Sequence, residues 1–288
     1  MVTGMHVRSV TDDDLDIVVA TVARWQLDPG HHIGYLSCTP DGIREDLTGL
    51  EPNGVSEAVG AWQGSSLIGF LAAEWDTTPP RVWWHGPFAR DADIASVLYT
   101  EAHEHLPTHV TQEEIAADDR HDWMPGFADR HGFIRSEAAA VLTLGPDRAP
   151  PPAESPVRPL TADDTEGVTA LHDLVFPGTH TPGSLLVSGK HHDVLLAAGP
   201  PGAPTGYIAA ERQADGEGYI DFVGVAPESR GRGIGRSLIV AAVHALRESG
   251  CTSINLTVLE TNRAARSLYS ALGFTEERIL RPWRKGFV

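Results

Sequence analysis

The sequence predicts an α/β fold built as two tandem domains, each a mixed, mostly antiparallel twisted sheet flanked by helices. Three observations predict it. A proline-rich run near mid-chain, Gly145-Pro-Asp-Arg-Ala-Pro-Pro-Pro-Ala-Glu-Ser-Pro156, separates two segments of domain size. Both segments spell out a similar order of strands and helices. They also open alike, with Val7-Arg-Ser-Val-Thr-Asp-Asp13 and Val157-Arg-Pro-Leu-Thr-Ala-Asp163, and close a late helix alike, at Gly132-Phe133 and Gly273-Phe274.

The prolines of the central run lack donors and fix φ, which excludes helix and sheet interior. Residues 146–156 therefore read as a linker of polyproline character, dividing a domain at 5–145 from one at 157–288. A chain of 288 residues is comfortable for two domains. In the first segment the patterning predicts a strand at 6–10 and a helix opening on Asp12, Asp13 and Asp14 at its positive end. A helical stretch near 40–50 precedes strands at 57–62, 67–75 and 81–86. A helix over 92–106, an extended stretch at 109–114, a helix at 122–131 and a strand at 137–144 follow. The second segment reads as a strand at 157–160, a helix after Thr161, and strands at 193–198, 206–213 and 219–225. A helix over 233–248, a strand at 253–259, a helix at 263–272 and a closing strand complete it. Strands first joined by hairpins and later separated by helices point to a mixed sheet.

Charge separates the halves. Residues 1–148 hold nine arginines, no lysine and 24 acidic side chains, a net of −15; the remaining 13 basic and 15 acidic residues leave −2. An acidic surface of this size argues against nucleic acid as a partner, and the nearly neutral second half is the better host for an anionic cofactor. No stretch approaches the ~18 apolar residues of a membrane span, and the first residues lack a signal-peptide pattern. Cys38 and Cys251 stand one in each half without CxxC spacing, so the expectation is a reduced, cytoplasmic protein with no metal site.

The informative segment is Tyr219-Ile-Asp-Phe-Val-Gly-Val-Ala-Pro-Glu-Ser-Arg-Gly-Arg-Gly-Ile-Gly-Arg236. Strict alternation puts Tyr219, Asp221, Val223 and Val225 on one strand face, with Ile220 and Phe222 on the other. Pro227 ends the strand, and Arg230-Gly231-Arg232-Gly233-Ile234-Gly235 opens a helix whose apolar face carries Ile234, Leu238, Ala241, Ala242, Ala245 and Leu246. Gly250 is its C-terminal stop. A glycine-rich turn feeding a helix N-terminus binds anions through unpaired backbone N–H groups and the macrodipole. Arg230, Arg232 and Arg236 add charge. Neither a P-loop nor a dinucleotide fingerprint fits, because no Lys-Ser/Thr pair and no acidic strand end follow.

The pattern Arg230-x-x-Gly233-x-Gly235 after Val225-Ala226-Pro227 resembles the acyl-CoA signature of the GNAT N-acyltransferase superfamily. The later block Asn262-Arg-Ala-Ala-Arg-Ser-Leu-Tyr-Ser-Ala-Leu-Gly-Phe274 is similar to that superfamily's Asn, Leu-Tyr and Gly-Phe succession. The likeness covers 157–288, with a weaker architectural likeness over 6–144. The tandem layout is similar to that of mycothiol synthases and, more generally, of antibiotic-modifying acetyltransferases.

The resemblance implies acetyl-CoA as cosubstrate and a small-molecule amine as acceptor. Val223, Gly224 and Val225 would face the pantetheine arm, and the backbone from Gly231 to Arg236, including Ile234, would hold the pyrophosphate. Asn262 would bond the cofactor arm. Tyr269 would act as general acid towards the departing thiolate, its alternative being core packing beside Ala265 and Leu272. Asp221 is the first candidate for the amine's proton, with Glu211 or a water chain as alternatives. A non-catalytic acyl-CoA-binding module is the competing class.

The equivalent stretch of the first half, Arg81 to Ala95, has no paired glycines, and Asp91 and Asp93 at its helix start would repel a phosphate. The first domain therefore reads as a degenerate copy. His31-His32 and His191-His192 lack zinc spacing and read as surface or loop histidines. Trp83, Trp84 and Trp123 read as core. Phe176 to Gly183 is either an acceptor-facing loop or only a turn.

Overall fold

A computed structural model describes residues 4–52, 54–77, 79–179, 181–190, 192–213 and 215–287. His180 of the predicted acceptor-side loop and His191 of the second histidine pair lie outside the described residues, as does the extreme N-terminus. The chain divides into two compact units, one comprising Met1–Ala139 with Arg278–Val288, the other Ala140–Glu277.

In the first unit β1 (Met5–Ser9) leads through a 3-10 turn into α1 (Leu15–Gln26) and α2 (Pro40–Gly49). Then come β2 (Val59–Gln63), β3 (Ser66–Thr77), β4 (Pro80–Ala89), α3 (Ala92–Glu104), β5 (Gln112–Asp118), α4 (Met124–His131) and the two-residue β6 (Ile134–Arg135). The second unit takes β7 (Ala139–Leu144) from Ala140 on, followed by β8 (Val157–Pro159), α5 (Thr165–Val175) and the single-turn α6 (Gly183–Leu186). It continues with β9 (Val194–Ala198), β10 (Gly206–Arg212), β11 (Gly218–Val225), α7 (Ile234–Glu248), β12 (Ile254–Leu259) and α8 (Arg263–Ala271). The last strand, β13 (Thr275–Lys285), begins in the second unit and ends in the first.

Strand order in the first unit is β1-β2-β3-β4-β5 and then the end of β13. Its pairs are antiparallel except β4 with β5. The second unit runs β8-β9-β10-β11-β12-β7, with β11 and β12 parallel. The fold is thus the mixed, mostly antiparallel α/β type the sequence predicts.

The proline-rich run lies within the second unit rather than between the two. Leu280–Lys285 pair with Asp118–Glu113 of β5, and β7 is hydrogen-bonded beside β12, so strand pairing rather than chain order decides membership. The run itself is tied down. Ser237 Oγ of α7 accepts from Glu154 N (3.2 Å) and Ser155 N (2.9 Å), and Arg247 donates to Gly145 O at 2.8 Å.

The repeated opening has a physical cause in each unit. Thr11 and Asp14 form a capping box, and Arg8 clamps Asp14 through two bonds of 2.6 and 2.8 Å. Thr161, Asp164 and Arg158 repeat this at 2.6 and 2.8 Å. The arginine holds each carboxyl well below the usual carboxylate range.

In the second unit α7 buries Ser237, Leu238, Ile239, Val240, Ala242, Val243 and Leu246, a wider stripe than sequence periodicity predicts. Gly206 and Gly218 leave room for it: a Cβ at Gly206 would meet Leu238 at 3.1 Å, and one at Gly218 would meet Leu246 at 2.9 Å. The opposite sheet face packs Tyr207, Ala209 and Phe222 against Val168 and Leu171 of α5 and Leu186 of α6.

Candidate active site

The parallel pairing of β11 with β12 covers only Gly218↔Ile254, Tyr219↔Asn255 and Ile220↔Leu256. Beyond it β11 runs on to Val225 and β12 to Leu259, so the strands part. Backbone groups along a strand address alternate edges. Ala226 N donates to Thr205 O of the β10 side, so Phe222 and Gly224 bond towards β10 and Val223 and Val225 point into the gap. The Val225 carbonyl accepts from Arg230 Nε at 3.3 Å, leaving its N–H and both groups of Val223. Gly224, expected at the cofactor, is glycine for a packing reason. A Cβ there would stand 2.9 Å from Cζ of Tyr207.

The alternation read from sequence fails at one point. Ala209 is opposite Phe222 but Ala210 is opposite Ile220, so Asp221 is the extra residue of a β-bulge. Gly218 before the bulge faces α7, whereas Gly224 after it faces Tyr207 on the α5 side. Asp221 therefore does not share a face with Val223 and Val225. The bulge turns it towards the α5 side, where Tyr219 also lies.

At the end of β11, Gly231 and Gly233 hold φ of 75° and 77°, values that L side chains rarely adopt. A Cβ at either would meet nothing within 4 Å. Gly233 caps α7 without a side-chain bond, so the N–H groups of Ile234, Gly235 and Arg236 face open space. Arg230 and Arg232 are exposed around this turn, while Arg236 lies 3.9 Å from Glu154.

Asn262 is the N-cap of α8, its Oδ1 accepting from Ala265 N at 3.2 Å, which leaves the side-chain amide as donor. It precedes the helix rather than sharing a helical face with Tyr269. The Tyr269 ring is buried against Phe274 with centroids 5.8 Å apart. Its hydroxyl has no hydrogen-bond partner among the described residues, and burial pushes its pKa up to about 12. Tyr219 donates to Thr257 Oγ1 at 3.1 Å, and burial pushes it up to about 12, with Asp221 and Glu211 adding negative charge nearby.

Two histidines escaped sequence reasoning. His192 is buried and its Nε2 lies 3.0 Å from Asp221 Oδ2. His172 is fully buried between Tyr207 OH (2.5 Å) and Thr181 O (2.8 Å). His192 and His32 lie in loops, as one half of the expectation had it, but they are buried rather than on the surface. The nearest signal was the proximity in sequence of His192 to a hydrophobic strand, too weak to place it. Trp84 is fully buried, as expected. Among the described residues no cluster of three His, Cys, Asp or Glu side chains could hold a metal ion, and no helix is long and apolar enough to cross a membrane.

The first unit differs at each equivalent place. The Asp91 side chain accepts from Asp93 N (3.2 Å) and Ile94 N (3.0 Å), so a carboxylate occupies the helix N-terminus. Its β4–β5 pairing likewise ends early, at Trp83↔Glu114, but the gap is filled. Gly34 N donates to Ala116 O (2.7 Å) and Asp118 N to His32 O (3.0 Å), with Ile33 bridging Ala117. Asp119 N bonds Ile279 O on the β13 edge, so Ala116 and Asp118 address the other edge, the one β4 has left. Gln26, buried, fixes this inserted segment through Ile33 N, Ile33 O and Leu36 O.

Residues 166–274 match the acetyltransferase (GNAT) family. Over 93 residues the chain is 37% identical to the mycothiol acetyltransferase of Saccharopolyspora erythraea, covering 32% of this chain and 28% of that protein. Over 99 residues it is 33% identical to aminoglycoside N(6')-acetyltransferase type 1 of Klebsiella aerogenes, covering 32% of this chain and 65% of that one. The chain thus spans less than two thirds of these relatives. A GCN5-related N-acetyltransferase of Sphaerobacter thermophilus superposes with a TM-score of 0.78 at 19% identity, over 98% of this chain and 96% of its own. A tandem GNAT protein from the clavulanic acid biosynthesis pathway gives 0.65 at 16% identity over 99% of both. These likenesses concern the fold. Residues 166–274, which span the bulged strand, the glycine turn and the Tyr269 helix, are thus the part of the chain that matches the acetyltransferase (GNAT) family.

Proposed function

We propose that the chain transfers an acetyl group from acetyl-CoA to a primary amine of a small molecule, by direct attack in a ternary complex, with the chemistry in the second unit. The observation that carries this reading is the gap between β11 and β12, with free backbone groups of Val223 and Val225 on its wall and the uncapped α7 N-terminus at its mouth. Val223 and Val225 would hold the pantetheine arm as an added strand would be held. The Ile234, Gly235 and Arg236 N–H groups, with Arg230 and Arg232, would hold the pyrophosphate, and Asn262 would donate to the arm.

In the transfer a nitrogen–carbon bond forms and the carbon–sulfur bond breaks. Asp221 accepts the proton the amine loses, with Glu211 as the second candidate. The Val225 N–H polarises the carbonyl. Tyr269, a phenol pushed up to about 12, stays protonated at neutral pH and presents its unpartnered hydroxyl to the leaving sulfur. With two cysteines, Cys38 in one unit and Cys251 in the other, and no disulfide framework, we place the protein in the reducing cytoplasm. The named relatives favour a cysteinyl or aminoglycoside amine as acceptor.

Calorimetric titration with acetyl-CoA tests the site. Saturable binding, abolished by Gly233→Trp, supports it, and retained binding in that variant refutes the loop assignment. Acetylation of an amine panel (an aminoglycoside, thialysine and a cysteinyl amine) then separates an enzyme from a non-catalytic acyl-CoA-binding module.

A further inference from the structure

His192 and His172 are both interior histidines of the second unit, yet their surroundings differ in kind. The bonds of His172 are complete: Nε2 donates to the Thr181 carbonyl and Nδ1 accepts from the Tyr207 hydroxyl. That is a histidine satisfied as part of a core. Among the described residues His192 has a single hydrogen-bond partner, the carboxylate turned out by the bulge. Its other nitrogen, Nδ1, is buried and unpartnered. A buried polar atom left without a partner is destabilising, so packing alone does not account for an imidazole here.

The surroundings fix how the pair is arranged. The residue after His192 is anchored, because Asp193 Oδ2 accepts from Arg212 N at 2.9 Å. The side chain of His192 is 3% exposed, against 17% for Asp221, so the imidazole is the more deeply buried partner and the carboxylate the one that reaches solvent. Asp221 only accepts when ionised, so the bond requires the proton on Nε2, and the neutral ring then carries its lone pair on Nδ1. One lone-pair direction of Oδ2 is then taken, and Oδ1 has no hydrogen-bond partner among the described residues.

We propose that His192 is a positioning residue for the acceptor amine. Its Nε2–H holds the bulged Asp221 carboxylate in one orientation, with Oδ1 presented to the amine's proton. This rests on the reading of Asp221 as the proton acceptor. The bulge alone aims the Cβ, but the two torsions beyond it stay free without a second anchor. Misplacement of a proton acceptor by about 1 Å costs on the order of 100-fold in rate, so the anchor acts on turnover rather than on acetyl-CoA binding.

The test uses the full chain and four variants: His192→Leu, His192→Gln, Asp221→Asn and the Leu/Asn double variant. Acetyl-CoA is saturating, the acceptor is whichever panel amine is acetylated, and folding is checked by melting temperature. His192→Leu is expected to lower kcat about 10- to 100-fold with acetyl-CoA affinity within about twofold. His192→Gln, whose amide can donate to Asp221, is expected to recover most of the loss. In the Asp221→Asn background the leucine should cost under about twofold, because the two residues act as one unit. Unchanged kcat in His192→Leu, or the same loss in both backgrounds, overturns the proposal.

A second measurement does not depend on turnover. Imidazole nitrogen shifts in ¹⁵N-histidine-labelled protein should report a fixed Nε2–H tautomer for His192, lost in Asp221→Asn. An Nδ1–H or averaged ring overturns the pairing. If acetyl-CoA binds but no amine is acetylated, the transferase reading fails, and the tautomer alone then decides whether His192 anchors Asp221.

Discussion

Two glycines nine residues apart in the second unit, Gly224 and Gly233, should fail in opposite ways when given a methyl group. At Gly224 the new Cβ enters the Tyr207 ring, 2.9 Å from Cζ, and that ring cannot swing away without breaking its bond to His172. Overpacking of this kind costs about 1–3 kcal/mol, and a disturbed buried hydrogen bond adds roughly 1 kcal/mol. A loss near 3 kcal/mol corresponds to a fall of roughly 6–12 °C in the melting temperature. At Gly233 the Cβ meets nothing within 4 Å, so the protein feels only the strain of φ 77°, about 1–2 kcal/mol. Yet that open space lies at the α7 N-terminus, where the diphosphate is proposed to sit. Gly233→Ala should therefore weaken acetyl-CoA at least about tenfold, or 1.4 kcal/mol, for a modest change in stability. Circular-dichroism melts and calorimetric titration of both variants read the two effects separately. Wild-type affinity in Gly233→Ala, or a wild-type melt in Gly224→Ala, would show that the two glycines have been assigned the wrong reasons.

Tyr269→Phe should lower kcat about 100-fold or more while leaving the acetyl-CoA dissociation constant unchanged; steady-state kinetics beside calorimetry decide, and full turnover removes the acid role. Asp164→Asn should destabilise the second unit by about 2–3 kcal/mol, read by urea denaturation at pH 7. Because Arg158 depresses the folded-state pKa of Asp164 below its unfolded value, this contribution is complete above about pH 4 and is lost as pH falls further. The wild type should thus lose its advantage over Asp164→Asn in acid. Acetyl-CoA should bind with a stoichiometry of one per chain, because His32–Gly34 fills the gap of the first unit; two equivalent sites by calorimetry would contradict this. Gln26→Leu removes the bonds that hold that segment and should lower the stability of the first unit by about 2 kcal/mol, seen as faster amide exchange at Ile33 and Gly34.

Much of this was legible in the sequence, for physical reasons. The elements of both units follow from apolar periodicity and from Gly, Pro and capping signals, which are local. The glycine turn was legible because a strand end, paired glycines and a helix start are contiguous. Tyr269 and Asn262 were legible only through the family resemblance. The bulge at Asp221 was not legible, since it depends on which residue of β10 lies opposite, and nothing in Tyr219–Val225 breaks the alternation. His192 was missed for the same reason: it lies 29 positions from Asp221 along the chain. The exchange of strand membership between β7 and the end of β13 also escaped, because a proline-rich run marks where chain order pauses and says nothing of which edges later pair.

The two units show how one architecture can keep a site or close it through separate local choices. Both have a register shift in the corresponding hairpin, β3–β4 in one and β10–β11 in the other. In the first unit the register slips between Phe70 and Ala72, opposite Gly86 and Pro87, neither of which carries a proton-accepting side chain. In the second the extra residue is Asp221. Both start a helix after that strand, one capped by the Asp91 carboxylate and the other left bare by Gly233. Both let their central parallel strands part, one gap filled by His32–Gly34 and the other free of any bridging segment among the described residues. Each difference alone would impair acyl-CoA binding or chemistry in the first unit, so no single reversion should restore it. Asp91→Gly frees the helix N-terminus but leaves the gap filled, and loosening the inserted segment through Gln26 leaves Asp91 in place. Neither change is expected to create a second acetyl-CoA site. A second site appearing in either would mean that only one of these obstacles matters.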